Sequence, residues 1–250
     1  MKIQERITVP TEMSEISLTN FLRFQKRAEG QNEGRVMQLA MQYFCHVTEE
    51  AVYTMEVDDV MEISAMIAEV VTGKVPVLQG DETIEISGVT YQFVGDKKWS
   101  FGEFIELTTV AEGEEIDAEK LIRTVWRPVD SKGNAVKFTA QESNIQHFPL
   151  DWGLATMNFF NNAFTSLSEE FPELFGGEGG SSMDFSMEAG FSQKWGWLGK
   201  IDTLANGDIT KYEAVEETYF KTCFIKLIFD SEKQDLINRK IKQQQEMHHG

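Results

Sequence analysis

Residues 83–94 read Thr83-Ile84-Glu85-Ile86-Ser87-Gly88-Val89-Thr90-Tyr91-Gln92-Phe93-Val94, and this stretch decides between an all-helical fold and a mixed one. Apolar and polar residues alternate on both sides of Ser87-Gly88, which is the pattern of strands with one buried face. A serine-glycine pair between two such runs is typical of a tight hairpin turn. The sequence therefore predicts a β-hairpin formed by residues 83–87 and 89–94.

Most of the remaining chain carries helical patterns, because apolar residues recur there at spacings of three and four. Helix starts are predicted at the capping residues Ser17, Thr48, Asp59, Ser100 and Thr210, and further helices at 32–46, 117–126 and 150–167. A final helix is expected to run without interruption from Val215 through Ile228, and short strands are expected at 2–10 and 135–138. These patterns predict an α+β fold that is predominantly helical, with a small antiparallel β-hairpin layer and a helical C-terminal region.

One segment has the composition of a flexible linker. Residues 176–182 read Gly-Gly-Glu-Gly-Gly-Ser-Ser, and such chains of glycine and serine rarely order themselves. The sequence therefore predicts a main acidic α+β domain at 1–175, a linker at 176–190 and a helical region at 191–250.

The net charge restricts the possible partners. The chain carries −18, and six basic residues against four acidic ones give residues 221–250 a charge of +2, so residues 1–220 carry −20. An excess of negative charge repels nucleic acid and anionic membrane surfaces, because both are negatively charged and proteins bind them through lysine and arginine. No apolar run approaches the length of a membrane span. We therefore expect neither a nucleic-acid nor a membrane partner, and a cytoplasmic protein that binds another protein, of basic character.

The cysteines and histidines, which often act in catalysis, are not spaced in the sequence as known catalytic motifs are. Cys45 and Cys223 each lie in an apolar helical pattern and are expected to be buried free thiols. Cys45 and His46 are neighbours in sequence, which does not bring two side chains together on a helix. His147 has no partner at metal-ligand spacing. We expect no enzyme activity, no cofactor and no metal site.

Two features are candidates for protein binding. Trp195 and Trp197 flank Gly196, and this pair either anchors the C-terminal region in the core or forms a platform for a partner. The final helix loses most of its apolar residues after Asp230 and keeps Leu236, Ile237 and Ile241. A helix that continues beyond its own core often ends on another subunit or on a partner, so a homo-oligomer is also possible.

Six short sequence motifs, spread over most of the chain, occur in the same order as in a known group of proteins. They are Ile7-Thr8-Val9-Pro10, Ser14-Glu15-Ile16-Ser17-Leu18, Phe101-Gly102-Glu103-Phe104-Ile105-Glu106-Leu107, Arg127-Pro128-Val129, Phe159-Phe160 and Trp195-Gly196-Trp197. Together they resemble an acidic protein encoded among the virion and tail genes of tailed bacteriophages. None of these phrases is catalytic.

The resemblance implies a non-enzymatic phage morphogenesis factor, with tail assembly chaperone as the specific expectation. Such a chaperone is acidic, helical and located in the host cytoplasm, where it covers the long tape-measure protein while the tail tube assembles. The alternative is a structural component of the virion, such as a connector, tail or capsid-associated protein, which would be found in the mature particle.

Overall fold

The computed structural model describes residues 6–111, 118–136, 147–175 and 189–248. The described helices are α1 (Leu18–Ala28), α2 (Glu33–Phe44), α3 (Glu49–Tyr53), α4 (Val57–Val71), α5 (Phe101–Ala111), α6 (Ala118–Val125), α7 (Leu150–Glu170), α8 (Pro172–Phe175), α9 (Ala189–Leu204), α10 (Tyr212–Glu216) and α11 (Phe220–His248). The described strands are β1 (Thr83–Ile86), β2 (Val89–Phe93) and β3 (Trp126–Pro128). The fold is α+β and mainly helical, with a helical C-terminal region, as predicted.

The predicted hairpin is confirmed. β1 and β2 pair antiparallel with Ile84 opposite Tyr91, and both of these side chains are buried. The turn residues Ser87 and Gly88 have φ angles of 53° and 80°, the left-handed pair of a type I′ turn that matches the strand twist. β3 adds to the other edge of β2 to give the order β1-β2-β3, and the sequence did not predict this strand.

The chain divides into two compact units, each built from two stretches of sequence. Unit 1 comprises Met1–Phe93 and Val125–Phe160, and unit 2 comprises Val94–Thr124 and Asn161–Gly250. Residues 176–188 of the predicted linker lie outside the described residues. The predicted domain boundaries at 175 and 191 therefore stay a prediction.

Trp126 organises the aromatic core of unit 1. Its side chain is fully buried, and its ring centroid lies 5.2 Å from that of Phe93, 5.5 Å from Phe148 and 5.6 Å from Trp152. The indole Nε1 donates a 2.8 Å hydrogen bond to Thr156 Oγ1. This bond satisfies the polar atom that a buried tryptophan brings into an apolar core.

The starts of α1 and α7 meet in unit 1. Ser17 caps α1 as predicted, because its Oγ accepts from the Asn20 amide, and the Leu18 amide donates to the Phe148 carbonyl over 2.7 Å. A Cβ atom at Gly153 would lie 2.8 Å from both Leu18 methyl carbons. Glycine at this position therefore allows α7 to approach Leu18 closely.

Phe104 organises the core of unit 2. Its ring stacks on Phe220 at 5.2 Å and on Phe164 at 5.6 Å between centroids, and meets Phe224 edge-on at 4.9 Å. The Ser100 capping box predicted for α5 is confirmed, since the Ser100 amide donates to Glu103 Oε2 and the Glu103 amide to Ser100 Oγ. This cap fixes the start of the helix that presents Phe104.

The predicted uninterrupted final helix is wrong. α10 ends at Glu216 and α11 begins at Phe220, because the residues between them pair with the segment that precedes α5. The Phe101 amide donates to the Thr218 carbonyl over 2.8 Å, and the Phe220 amide donates to the Trp99 carbonyl over 3.3 Å. These contacts join residues more than a hundred positions apart, so local periodicity could not predict them.

Other local predictions have mixed outcomes. Thr48 caps α3 as predicted. Asp59 does not cap α4, which begins earlier, at Val57, and Thr210 does not cap α10, since Asp208 accepts its amide and hydroxyl instead. The expected first strand is absent from residues 6–10, the described part of that prediction. The expected strand at 135–138 is reduced to an isolated bridge between Ala135 and Val129 in its described residues.

Candidate protein-binding surfaces

Helix α4 is apolar in composition but scarcely buried. Ten of its fifteen residues are apolar, yet Ile67 is the one fully buried side chain in the helix. α4 packs on α2 through the side that carries Ile67. Val57 and Met61 lie about 80° and 120° around the helix from Ile67, at 100° per residue, and are 72% and 54% exposed. An apolar helix that leaves such residues in water is a candidate for covering by another molecule.

The outer side of α4 has two neighbouring stripes. Val57, Met61, Ala65 and Ala68 follow at helical spacing and form the apolar stripe, and all four are exposed. Next to it lie the exposed carboxylates Asp58, Glu62 and Glu69. We call these seven residues the α4 face.

The sequence around the α4 face is acidic. Residues 47–73 contain seven acidic residues and no lysine or arginine. The nearby α3 follows the same trend, with Glu49 bound to Arg35 over 2.8 Å and Glu50 exposed. The surface therefore combines exposed apolar area with an acidic rim, which complements a helix that carries both apolar and basic residues.

Of the residues predicted to bind a partner, Leu236, Ile237 and Ile241 lie on α11. They are 52%, 39% and 47% exposed, and the last buried side chain of the helix is Leu227. Three residues that the prediction did not name are exposed on the same helix: Ile225, Phe229 and Met247. The described part of α11 after Leu227 thus carries apolar side chains without a core to receive them.

Trp197 takes a different position. Its half-buried ring meets Phe101 edge-on at 5.8 Å and Phe104 at 5.5 Å, and Lys200 Nζ lies 3.9 Å from its centroid. These contacts favour the core-anchoring alternative for Trp197. The backbone at Gly196 leaves helical geometry with a φ of 41°. The side chain of Trp195 lies outside the described residues.

The cysteines are buried and free, as predicted. Burial raises the pKa of both the Cys45 and the Cys223 thiol to about 11, so neither is a thiolate near neutral pH. His46, beside Cys45, and His147 are exposed. Among the described residues, no group of three histidine, cysteine, aspartate or glutamate side chains is placed to hold a metal ion.

A shallow groove of about 580 Å³ lies in unit 1 between residues 10–14 and the end of α4. Asp151 lines it, and Asp151 Oδ1 is buried without a hydrogen-bond partner among the described residues. Burial, assisted by the nearby charge of Glu12, raises the pKa of the Asp151 carboxyl. Glu12, Glu69 and Lys74 line the same open groove, so Asp151 is one of several charged side chains there.

Comparison of the chain with protein-family models, with curated proteins and with solved structures finds no match. Within the described residues, none of the helices combines the length and the apolar content that crossing a bilayer requires.

The α4 face was not predicted from the sequence. Its apolar residues fit an ordinary helical pattern, and Asp59 was expected to cap the helix. A signal was present in the sequence, because the apolar residues of α4 extend around more of the helix than one buried side requires.

Proposed function

We propose that this chain is a non-enzymatic phage morphogenesis factor that acts as a tail assembly chaperone and binds the tape-measure protein. The observation that carries the proposal is the α4 face, an exposed apolar stripe beside a row of carboxylates. The order of short phrases along the sequence supports the phage assignment. The host cytoplasm is the corresponding location.

The chemistry of the α4 face specifies the partner segment. The apolar stripe is narrow enough for one helix to cover. Covering Val57 and Met61 would stabilise the complex by roughly 25 cal/mol for each Å² of apolar area removed from water. The carboxylates Asp58, Glu62 and Glu69 would face basic residues on the same partner helix. The partner segment is therefore an amphipathic helix with lysine or arginine beside its apolar side. A long helical protein prone to aggregation offers many such segments.

The net charge suits a chaperone of this kind. A charge of −18 keeps the protein soluble and separates copies from one another while one apolar side remains exposed. A bound acidic protein would also transfer that solubility to its client. The two properties together explain how a surface with exposed methionine and valine can exist on a soluble factor.

The test is co-expression with the tape-measure protein of the same phage, followed by affinity capture and measurement of the soluble tape-measure fraction. The double variant Asp58→Lys/Glu62→Lys should weaken capture by about tenfold or more, since it reverses two of the three charges of the rim. The variant Met61→Ser should weaken it through lost apolar contact. Glu29→Lys/Glu85→Lys is the matched control, with the same charge change at exposed sites of unit 1 outside the α4 face.

Equal loss in the control and the α4 variants would show that net charge alone drives capture and would contradict the α4 assignment. The alternative function, a structural virion component, predicts a different result. Mass spectrometry of purified particles would then find stoichiometric copies of this chain, whereas a chaperone is absent from mature virions.

A further inference from the structure

α11 is longer than its core contacts can support. It spans 29 residues, Phe220–His248, and its buried side chains Phe220, Cys223, Phe224 and Leu227 all lie in its first eight positions. About 20 residues follow with no buried side chain in the described structure. A lone helix of that length is marginal in water, because its stability normally comes from packing one side against other structure.

The exposed side of α11 has a regular pattern. Ile225, Phe229, Glu232, Leu236, Lys240, Gln243 and Met247 follow at intervals of four, three, four, four, three and four residues. Each of these seven side chains is exposed. The pattern repeats every 11 residues, about 3.67 per turn, which keeps these positions on one side of a nearly straight helix. We call these seven residues the α11 stripe.

The α11 stripe is symmetric about Leu236. Reversing the direction of the helix while keeping Leu236 in place exchanges Ile225 with Met247, Phe229 with Gln243 and Glu232 with Lys240. Two apolar ends are thus exchanged with each other, and an acidic position is exchanged with a basic one. A second α11 running in the opposite direction would therefore place apolar residues together at the centre and at the two ends, and opposite charges together between them, while Phe229 faces Gln243.

The charges on the two halves of α11 have the same complementarity. Residues 225–235 hold three acidic and two basic residues, and residues 237–247 hold three basic and one acidic residue. An antiparallel pair places each half against the half of opposite sign, whereas a parallel pair places like charges together. The chain thus supplies the occupant for its own exposed helix side.

We propose that α11 pairs antiparallel with α11 of a second copy of this chain, with Leu236 meeting its equivalent at the two-fold axis. Glu232 of each copy then faces Lys240 of the other copy, and the pair closes an isologous dimer. The pairing is argued from residues of α11 alone, so the inference does not depend on the proposed function.

The test is the oligomeric state of the purified full-length chain, measured by sedimentation equilibrium over a wide range of concentration. The wild-type chain should be a dimer that dissociates on dilution. Glu232→Lys and Lys240→Glu should each raise the dimer Kd by about tenfold or more, because each change creates two repulsive contacts across the two-fold axis. The double variant Glu232→Lys/Lys240→Glu should restore the wild-type Kd.

Gln245→Glu is the matched control, because residue 245 is exposed on the side of α11 away from the stripe. It should leave the dimer Kd unchanged. A wild-type chain that stays monomeric at all concentrations overturns the proposal, and so does a double variant that fails to recover.

The direction of pairing has its own measurement. Ile225→Cys and Met247→Cys variants, mixed under mild oxidation, should form a disulfide between the two different chains, while each variant alone should cross-link slowly. The buried native thiols Cys45 and Cys223 are present in every sample, so cross-linking of the wild-type chain measures their contribution. Rapid cross-linking of Ile225→Cys with itself would show parallel pairing and would overturn the antiparallel arrangement.

Discussion

The hydrogen bond between Trp126 and Thr156 joins two buried side chains in the core of unit 1. Thr156 Oγ1 accepts from the indole and donates to the Trp152 carbonyl over 2.7 Å, so one hydroxyl satisfies two buried groups. A chain that lost this hydroxyl would retain the shape of the core but leave the indole nitrogen unpaired. Buried polar atoms without partners are costly because water no longer solvates them.

Thr156→Val should therefore lower the free energy of unfolding by about 1–3 kcal/mol, the cost of leaving a buried donor unsatisfied. Chemical denaturation measures this change. Thr165→Val is the matched control, because Thr165 also donates to a carbonyl four residues earlier but is exposed. Its loss should stay within about 0.5 kcal/mol. Equal losses at the two positions would contradict the role assigned to the indole.

Asp151 and Asp130 should respond to pH with opposite signs. Burial raises the pKa of Asp151, so its ionised form costs stability at neutral pH, and this cost disappears once the carboxyl is protonated. Asp151→Asn should therefore raise Tm at neutral pH and have little effect below the ordinary carboxyl range. Thermal unfolding of the variant and the wild type across that pH range measures the difference.

Asp130 supplies the contrast. Hydrogen bonds from the Asn134 amide, foremost, and from the Lys132 amide lower the pKa of the Asp130 carboxyl. Its stabilisation is present at neutral pH and is lost as the pH falls through the lowered pKa. Asp130→Asn should therefore lower Tm at neutral pH, with convergence in acid. A pH-independent effect of either variant would contradict these assignments.

At the scale of elements, the first part of α11 belongs to the core of unit 2 and the second part does not. Removing Lys233–Gly250 should change Tm by less than about 2 °C in dilute protein, because no buried side chain is lost from the described residues. Differential scanning calorimetry measures this. Removing Phe220–Gly250 is the contrasting truncation and should unfold unit 2, since Phe220, Phe224 and Leu227 are then lost. A large drop in Tm for the shorter truncation would show that the tail is part of the core.

The elements also show what a sequence can predict. The hairpin at Ser87-Gly88 and the cap at Ser100 depend on residues within a few positions of one another, so local chemistry was sufficient to predict them. The break before α11 depends on Thr218 pairing with Phe101, and β3 depends on pairing with β2. Both are contacts between distant segments, which local patterns do not encode.

The candidate surfaces were also predicted only where local sequence was sufficient. Leu236, Ile237 and Ile241 were predicted to be exposed because the charged composition of the tail leaves no continuous apolar side to bury. The α4 face was not predicted, because an apolar pattern does not reveal how much of a helix its neighbours cover. The sequence favoured a core position for Trp197 over an interface position, and its contacts with Phe101 and Phe104 agree with the core position.

At the scale of the whole molecule, the two candidate surfaces lie in parts of the sequence that carry net charges of opposite sign. The acidic excess lies within residues 1–220 and includes the α4 face, while residues 221–250 carry a small positive charge. A partner attracted by the acidic surface and a second copy bound through α11 would thus use different electrostatics. The two proposed contacts would use separate sets of residues.

Each compact unit also encloses one free thiol, Cys45 in unit 1 and Cys223 in unit 2. An alkylating reagent reaches either sulfur only when the structure around it opens. Mass spectrometry of the peptides that contain Cys45 and Cys223 would therefore measure the opening rate of each unit separately, with no engineered label. The labelling rates of the two native cysteines would thus report the local unfolding of each unit.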